Sequence, residues 1–332
     1  MGFRVGLLAL SLASAPMPLL SQDTLTVADT LPGRALNLGA GHFGLSLGNS
    51  PRWNGIRINF RDRAVREVNG LNVTLWNPGK NRFAVYRGVS VGLGPYGASL
   101  MGLNVGVAGL VAERALYGVN LAGLGTVSQG NMVGLNVAGL GTVAEGDMAG
   151  INLSGLGTVA QGRMRGFNFG GLATVAERGV TGLNIGGLAV VGEHGGVRGI
   201  SVAGLAVVGE EGVKGVSVAG LAVVGDESVQ GLTVTLGAIE SGSLVRGWSV
   251  AGYRIKSPQV QGVAIPVAWL RTEALEGASI SVYNRVVGTQ RGLAIGLLNY
   301  ARELHGVQLG VLNIAGNNRG VAHVLPVINL HR

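Results

Sequence analysis

The sequence predicts an all-β fold: a β-solenoid (β-helix-like) of stacked 14–17-residue coils, capped at both ends. Three observations predict it. Glycine occurs 60 times in 332 residues, without a collagen triplet. Hydrophobic residues make up 47% and charged residues 13%, a balance opposite to that of a disordered chain, while aromatics are only 5%. Above all, the chain repeats itself, and a fixed period must be read before any local pattern.

The repeat is a glycine followed by an apolar-polar-apolar triplet: Gly134-Leu-Asn-Val, Gly150-Ile-Asn-Leu, Gly166-Phe-Asn-Phe, Gly182-Leu-Asn-Ile, Gly199-Ile-Ser-Val and Gly215-Val-Ser-Val. Its spacing is 16 residues from Gly102 to Gly182, 17 to Gly199 and 16 again to Gly247. It shortens to 15 through Gly262, Gly277 and Gly292, then to 14 at Gly306 and Gly320, while less regular copies begin at Gly55, Gly70 and Gly88.

Aligning the copies on that leading glycine gives columns. Two residues before it stand Met132, Met148, Met164, Val180, Val197, Val213 and Val229. Pairs such as Ile151/Leu153 and Val216/Val218 follow it at one and three residues. Leu124, Leu140, Leu156, Leu172, Leu188, Leu205 and Leu221 stand six after it, and Val127, Val143, Val159, Val175, Val191, Val208 and Val224 nine after it. A helix would need a sustained 3.6-residue period and would not tolerate glycine at this density. A flat strand would keep strict alternation. Alternation here lasts two or three residues and then slips at glycine, so the chain must turn a corner there. We therefore expect every apolar column on the inside, with Leu156 and Leu172 stacked on one another. The Asn column (Asn104, Asn120, Asn136, Asn152, Asn168, Asn184), lying between two apolar neighbours, is expected outside, either as a flat hydrogen-bonding face or as a stabilising amide ladder.

The domain organisation follows. Residues 1–22 read as a signal peptide, with Arg4, an apolar run from Val5 to Ala13 and the small-residue site Ala13-Ser14-Ala15. Residues 23–54 form a lead-in and N-terminal cap, and 55–332 a single β-repeat domain. The charged stretch 52–69 is expected to blunt the N-terminal edge, and Pro326, His331 and Arg332 the other. A loop inserted at Trp76 accounts for the 18 residues between Gly70 and Gly88.

The wording is most recognisable near the C-terminus. There Gly292-Leu-Ala-Ile-Gly-Leu-Leu-Asn-Tyr-Ala precedes Gly306-Val-Gln-Leu-Gly-Val-Leu-Asn-Ile-Ala-Gly, and the chain closes with Leu325-Pro-Val-Ile-Asn-Leu. This resembles the bacterial surface repeat-containing exported proteins, closely over 277–332 and more loosely over 55–276. The resemblance implies an extracytoplasmic place (secreted, cell surface or outer-membrane associated) and a repeat architecture; it brings no catalytic residue.

No cofactor or metal site stands out. Cysteine is absent, which excludes disulfides and thiolate ligands. His194, His305, His323 and His331 lack metal-ligand spacing, and His323 is expected to face inward as an end-cap histidine. The polar corner of Glu113, Gln129, Glu145, Gln161, Glu177, Glu193, Glu210 and Asp226 is interrupted by glutamine, which argues for solvation over calcium binding. One candidate binding feature remains. Just before the leading glycines stand Arg165, Arg198, Lys214, Arg246, Arg291 and Arg319, which stacking would align into a weak polyanion-binding ridge. The net charge of +8 agrees with an anionic glycan or envelope surface as partner. We expect neither nucleic acid nor a transmembrane helix.

These features together suggest a non-enzymatic exported surface or envelope repeat protein with a structural or interaction role. An outer-membrane β-barrel is one alternative, opposed by units too short for spanning strands. A β-helical carbohydrate-active enzyme is the other, opposed by the absence of a clustered acid, base and cation set.

Overall fold

Each leading glycine sits inside the longer of two strands that make one coil. In the computed structural model, which describes residues 34–76 and 81–331, a coil of the regular middle consists of a long strand such as Met148–Ser154 and a short one such as Gly157–Ala160. Each pairs in parallel with its counterparts in the coils before and after. Gly150 lies beside Gly134 and Gly166, and Thr158 beside Thr142 and Thr174. Among the described residues thirty strands join one continuous sheet, parallel except in the pairings at its two ends, wound into about sixteen stacked coils. The expected β-solenoid is what the chain forms. At the usual interstrand spacing it is a rod roughly 75 Å long. The extra residue between Gly182 and Gly199 is held at the corner containing Gly195 and Gly196, both with positive φ, so the register on either side is unchanged.

The leading glycines are obligatory for two reasons. From Gly55 to Gly306 their φ values lie between +100° and +152°, a region that side chains disfavour. A Cβ built on Gly150 would also stand 2.2 Å from the carbonyl oxygen of Gly134 in the preceding coil.

That backbone kink overturns the expected assignment of inside and outside. Because the chain slips at the glycine, the residues immediately before and after it both point outward, and the second residue points inward. The Asn column is therefore buried completely, and the Leu column from Leu124 to Leu221 is exposed. Leu156 and Leu172 stack, but on the outer surface. The one- and three-residue columns and the nine-residue Val column are likewise outside, part-exposed. Of the apolar columns only the one two residues before the glycine, Met132 to Val229, is inside as expected. The interior is completed by small residues: Ala138, Ser154, Ala203 and Ala219 at the fourth position, Thr126 to Thr174 and then Val190, Val207 and Val223 at the eighth, and Ala144, Ala160 and Ala176 at the tenth. Outside the regular coils the eighth position takes larger side chains, Leu110, Ile239, Ile255 and Leu270, all buried.

The asparagines form the amide ladder, inside the coil. Asn104 Nδ2 donates to Asn120 Oδ1 at 2.8 Å, and the same bond repeats through Asn136, Asn152 and Asn168 to Asn184 at 2.7–2.8 Å. Each amide from Asn120 to Asn168 is thus satisfied by its neighbours above and below, as burial of such a group demands, while Asn104 Oδ1 at the start of the row is buried without a partner among the described residues.

The ends differ from expectation in detail. The N-terminal cap is an antiparallel hairpin, Ala35–Ala40 with Phe43–Gly48, and not the charged stretch 52–69. That stretch lies one coil further in, where Arg57 and Asp62 are buried as an ion pair at 2.6 Å. Asp62 also accepts from Thr74 Oγ1 (2.7 Å), Tyr86 Oη (3.0 Å) and Asn59 Nδ2 (3.0 Å), while Arg57 donates to Asn72 and Asn49. At the other end Val324–His331 turns back antiparallel on Leu298–Ala315 and closes the rod. Gly320 opens a single 3₁₀ turn, Gly320–His323, and no coil, so His323 is exposed and not the inward cap residue expected. The expected signal peptide, most of the loop after Trp76 and Arg332 lie outside the described residues.

Candidate interaction surface

The outer surface of the rod is divided by charge. In eight successive coils the nine residues after the leading glycine contain no Asp, Glu, Lys, Arg or His: 103–111, 119–127, 135–143, 151–159, 167–175, 183–191, 200–208 and 216–224. Every charged residue of those coils falls in the remaining arc, at the polar corner or just before the next glycine. The charge-free arc covers the outer face of the long strand, the corner after it and the outer face of the short strand.

At that corner the apolar residues make a crest. It begins with Phe60 and Trp76, whose rings stack at 6.4 Å, and continues through Leu124, Leu140, Leu156, Leu172, Leu188, Leu205 and Leu221 to Leu236, Tyr253, Val267, Val282, Leu297 and Val311. These side chains are 44–80% exposed. The corner is a backbone ladder in its own right: Leu156 N donates to Leu140 O, Leu172 N to Leu156 O, and so on at 2.6–2.8 Å. The ladder sets the leucines in a row. A row this long exceeds what a monomeric soluble protein ordinarily leaves to water. Covering a half-exposed leucine is worth about 1 kcal/mol.

The two flanks of the crest differ along the rod. The long-strand flank stays uncharged and apolar from Ile56/Ile58 through Phe167/Phe169 and Trp248/Val250 to Val307/Leu309. The short-strand flank acquires Glu240, Arg254, Lys256, Arg271 and Arg285 in the C-terminal coils, with Arg254 paired to Glu240 and lying over the rings of Tyr253 and Trp269. Near the C-terminal end the crest and long-strand flank enclose a shallow groove of about 770 Å³ lined by Ile265, Val267, Ile280, Val282, Leu297 and Val311.

Five of the six residues expected to form a basic ridge stand in one row along the border of the long-strand flank. Register places Arg165, Thr181, Arg198, Lys214, Gln230, Arg246, Gln261, Glu276, Arg291 and His305 in one row. Arg246 donates to Gln261, and Arg291 faces Glu276 at 3.5 Å. Arg319 does not belong to the row, because it precedes the 3₁₀ turn that follows the last coil. Sequence spacing missed a second feature of the ridge. Arg163, Arg165, Arg178 and Arg198 surround a cleft of about 520 Å³ with Thr181, His194 and one carboxylate, Glu211, at the widened corner holding Gly195. None of these four guanidinium groups makes an ion pair among the described residues.

The acidic corner runs along the opposite border, beside the short-strand flank. Burial, then Glu210 and Glu177 above and below, push the Glu193 carboxyl above its ordinary range. Among the described residues no three His, Cys, Asp or Glu side chains gather in a way that could hold a metal. His305 and His331 meet edge to face at 5.9 Å, without His323. No helix among the described residues is long and apolar enough to cross a membrane.

Comparison with protein-family models, curated proteins and solved structures gave no match.

Proposed function

We propose that the chain is a non-enzymatic, exported surface or envelope protein whose rod has an interaction role, exercised through its outer apolar arc. The observation that carries the reading is the separation of charge from apolar surface over the length of the rod. A β-solenoid that worked alone in water would carry its polar residues all round its coils. Here the interior takes the amides and the exterior takes leucine, which is the arrangement of a rod that is covered in use. The resemblance of 277–332 to exported surface repeat proteins supports the extracytoplasmic location, as does the signal-like segment at 1–22.

Cell fractionation with N-terminal sequencing tests location: the mature chain is expected outside the cytoplasm, cleaved before residue 23. A full-length chain in the cytosol would refute it. Sedimentation of the purified protein tests the interaction role. A chain that stays monomeric and fully soluble at high concentration and adsorbs to no envelope fraction would refute that part.

A second reading has its own observation. The cleft among Arg163, Arg165, Arg178 and Arg198 suits an acidic glycan, whose carboxylate or sulfate groups guanidinium forks bind in pairs. Retention on heparin at low salt, lost in Arg165→Gln/Arg198→Gln, is its expected sign.

A further inference from the structure

We infer that the occupant of the apolar arc is an anionic lipid surface, with the rod lying lengthwise on its long-strand flank and the basic ridge at headgroup level. This rests on the interaction reading above and names its partner.

The first ground is shape. The arc folds around a corner: the crest stands between the outer faces of the long and the short strands, with a shallow groove beside it near the C-terminal end. A flat protein partner covers one flank and leaves the crest and the other flank wet, whereas a fluid apolar medium closes around a ridge. The second ground is length. The rod extends roughly 75 Å, against about 30 Å for a bilayer's hydrocarbon core, and its polar corner runs the whole way. It therefore lies in the interface and does not cross it, as amphipathic elements with a charged back and an apolar front do.

The third ground is charge. Only the long-strand flank and crest are apolar from end to end, and that flank is the one bordered by Arg165, Arg198, Lys214, Arg246 and Arg291. The acidic corner borders the other flank and points away. Basic residues beside a buried apolar face meet lipid phosphates while their stems stay in apolar surroundings. Trp248 on the flank and Tyr253 on the crest are both exposed and suit the same depth.

The same charge placement disfavours a second copy as the occupant. Two rods packed flank to flank about a two-fold axis along the rod would set each basic ridge against the partner's leucine crest. About an axis across the rod, ridge would face ridge. One arrangement leaves cations against an apolar surface without partners, the other opposes like charges.

The experiment is co-sedimentation of the purified chain with vesicles of phosphatidylcholine alone and with phosphatidylglycerol added. Binding to the anionic vesicles is expected at least tenfold tighter, falling as salt is raised. A blue shift of tryptophan emission should accompany it and shrink in Trp248→Phe. Leu156→Gln/Leu172→Gln/Leu188→Gln should lose binding to both vesicles while keeping the wild-type circular dichroism and melting curve. Arg198→Gln/Lys214→Gln/Arg246→Gln should lose only the preference for anionic lipid. Absence of vesicle binding, together with self-association that the triple leucine variant abolishes, would overturn lipid as the occupant and leave the interaction role standing. Absence of both would overturn the two together. Vesicle binding untouched by the leucine changes would also overturn the assignment of the arc.

Discussion

Coils from Gly118 to Gly182 and those at Gly199 and Gly215 present the same surface outside and different ones inside. Both turn Leu to the crest and Val to the short-strand flank. In the first group the interior holds Asn at the second position, facing Thr at the eighth until Val190 replaces it in the last coil. In the second it holds Ser facing Val. The switch comes where the ladder ends. Asn184 has no asparagine beyond it, makes only a 3.4 Å contact to Ser201 and turns its amide back to the Gly182 carbonyl. Further on the amides reappear on the short strand, where Asn284, Asn299 and Asn313 bond in series at 2.7–2.8 Å. Leading glycine pairs with leading glycine through all three regions, with one register shift between Val286 and Thr289, so it is the glycine corner that sets the coil, and the interior can be polar or apolar provided that its polar groups are satisfied.

The largest effect expected tests that division of labour. Gly150→Val and Gly215→Val should each cost more than 4 kcal/mol or prevent folding, to the same degree in both regions, since each forces a β-branched residue to positive φ against a neighbouring carbonyl. Ala149→Val, one residue earlier and facing out, should change the melting temperature by only a few degrees. A glycine change tolerated in one region and not the other would tie the corner to the interior after all.

A charged interior extends the comparison to the coils from Gly55 to Gly88. Burial alone would raise the Asp62 carboxyl, but the Arg57 charge and bonds from Asn59 and Thr74 outweigh it and hold it below its ordinary 3.8. A carboxyl depressed in the folded state contributes stability above its unfolded value, roughly pH 4, and that contribution is lost as pH falls through the folded value. Asp62→Asn leaves Arg57 buried without a counter-charge and should cost about 3–5 kcal/mol at pH 7. Below pH 3 the gap between variant and wild type should narrow. A pH-independent gap in melting temperature would show that the charge of Asp62 is not what matters.

The amide ladder comes next. Asn152→Leu removes both an acceptor for Asn136 and a donor for Asn168, leaving two buried groups unpaired at about 1–3 kcal/mol each. Ser217→Ala, at the same position in the other group, should cost well under 1 kcal/mol. Chemical denaturation of the pair checks this, and equal losses would mean that the ladder contributes no more than a packed small residue.

The sequence made the period, the stacking and the glycine corners readable, because each depends on backbone geometry that only glycine satisfies. The direction of the side chains was not readable from hydrophobicity, since a positive-φ residue turns both its neighbours outward and the rod exposes what a globular chain buries. A signal was nevertheless there. The one- and three-residue columns accept Phe167, Phe169 and Trp248 in place of Leu and Val, a range of volumes that a close-packed shared interior tolerates poorly. In the regular coils the inward second, fourth and tenth positions carry small or polar residues, Asn, Ser, Thr, Ala and Gly. The basic row was legible from spacing alone, but Arg178 and Arg163 were not, because the corner that brings them beside Arg165 is widened by one residue at Gly195.

The smallest effect expected is the most informative about the outer arc. Leu156 and Leu205 occupy the same crest position in the two regions, each about half exposed. A leucine buried in the core would cost several kcal/mol on replacement by a polar residue. At the crest, Leu156→Gln and Leu205→Gln remove no interior contact, and the glutamine amide finds water, so each should stay within about 0.5 kcal/mol of wild type. For a domain of this size that is a shift of one or two degrees in melting temperature. The change should be alike in both regions, because the ladder inside one and the valines inside the other lie on the far side of the backbone from the crest. A loss of 2 kcal/mol or more at Leu156 alone would place that side chain in the interior of the ladder coils and return the asparagines to the surface. Unchanged stability together with a marked gain in solubility would leave the leucines to be explained by what they touch, and by nothing in the fold.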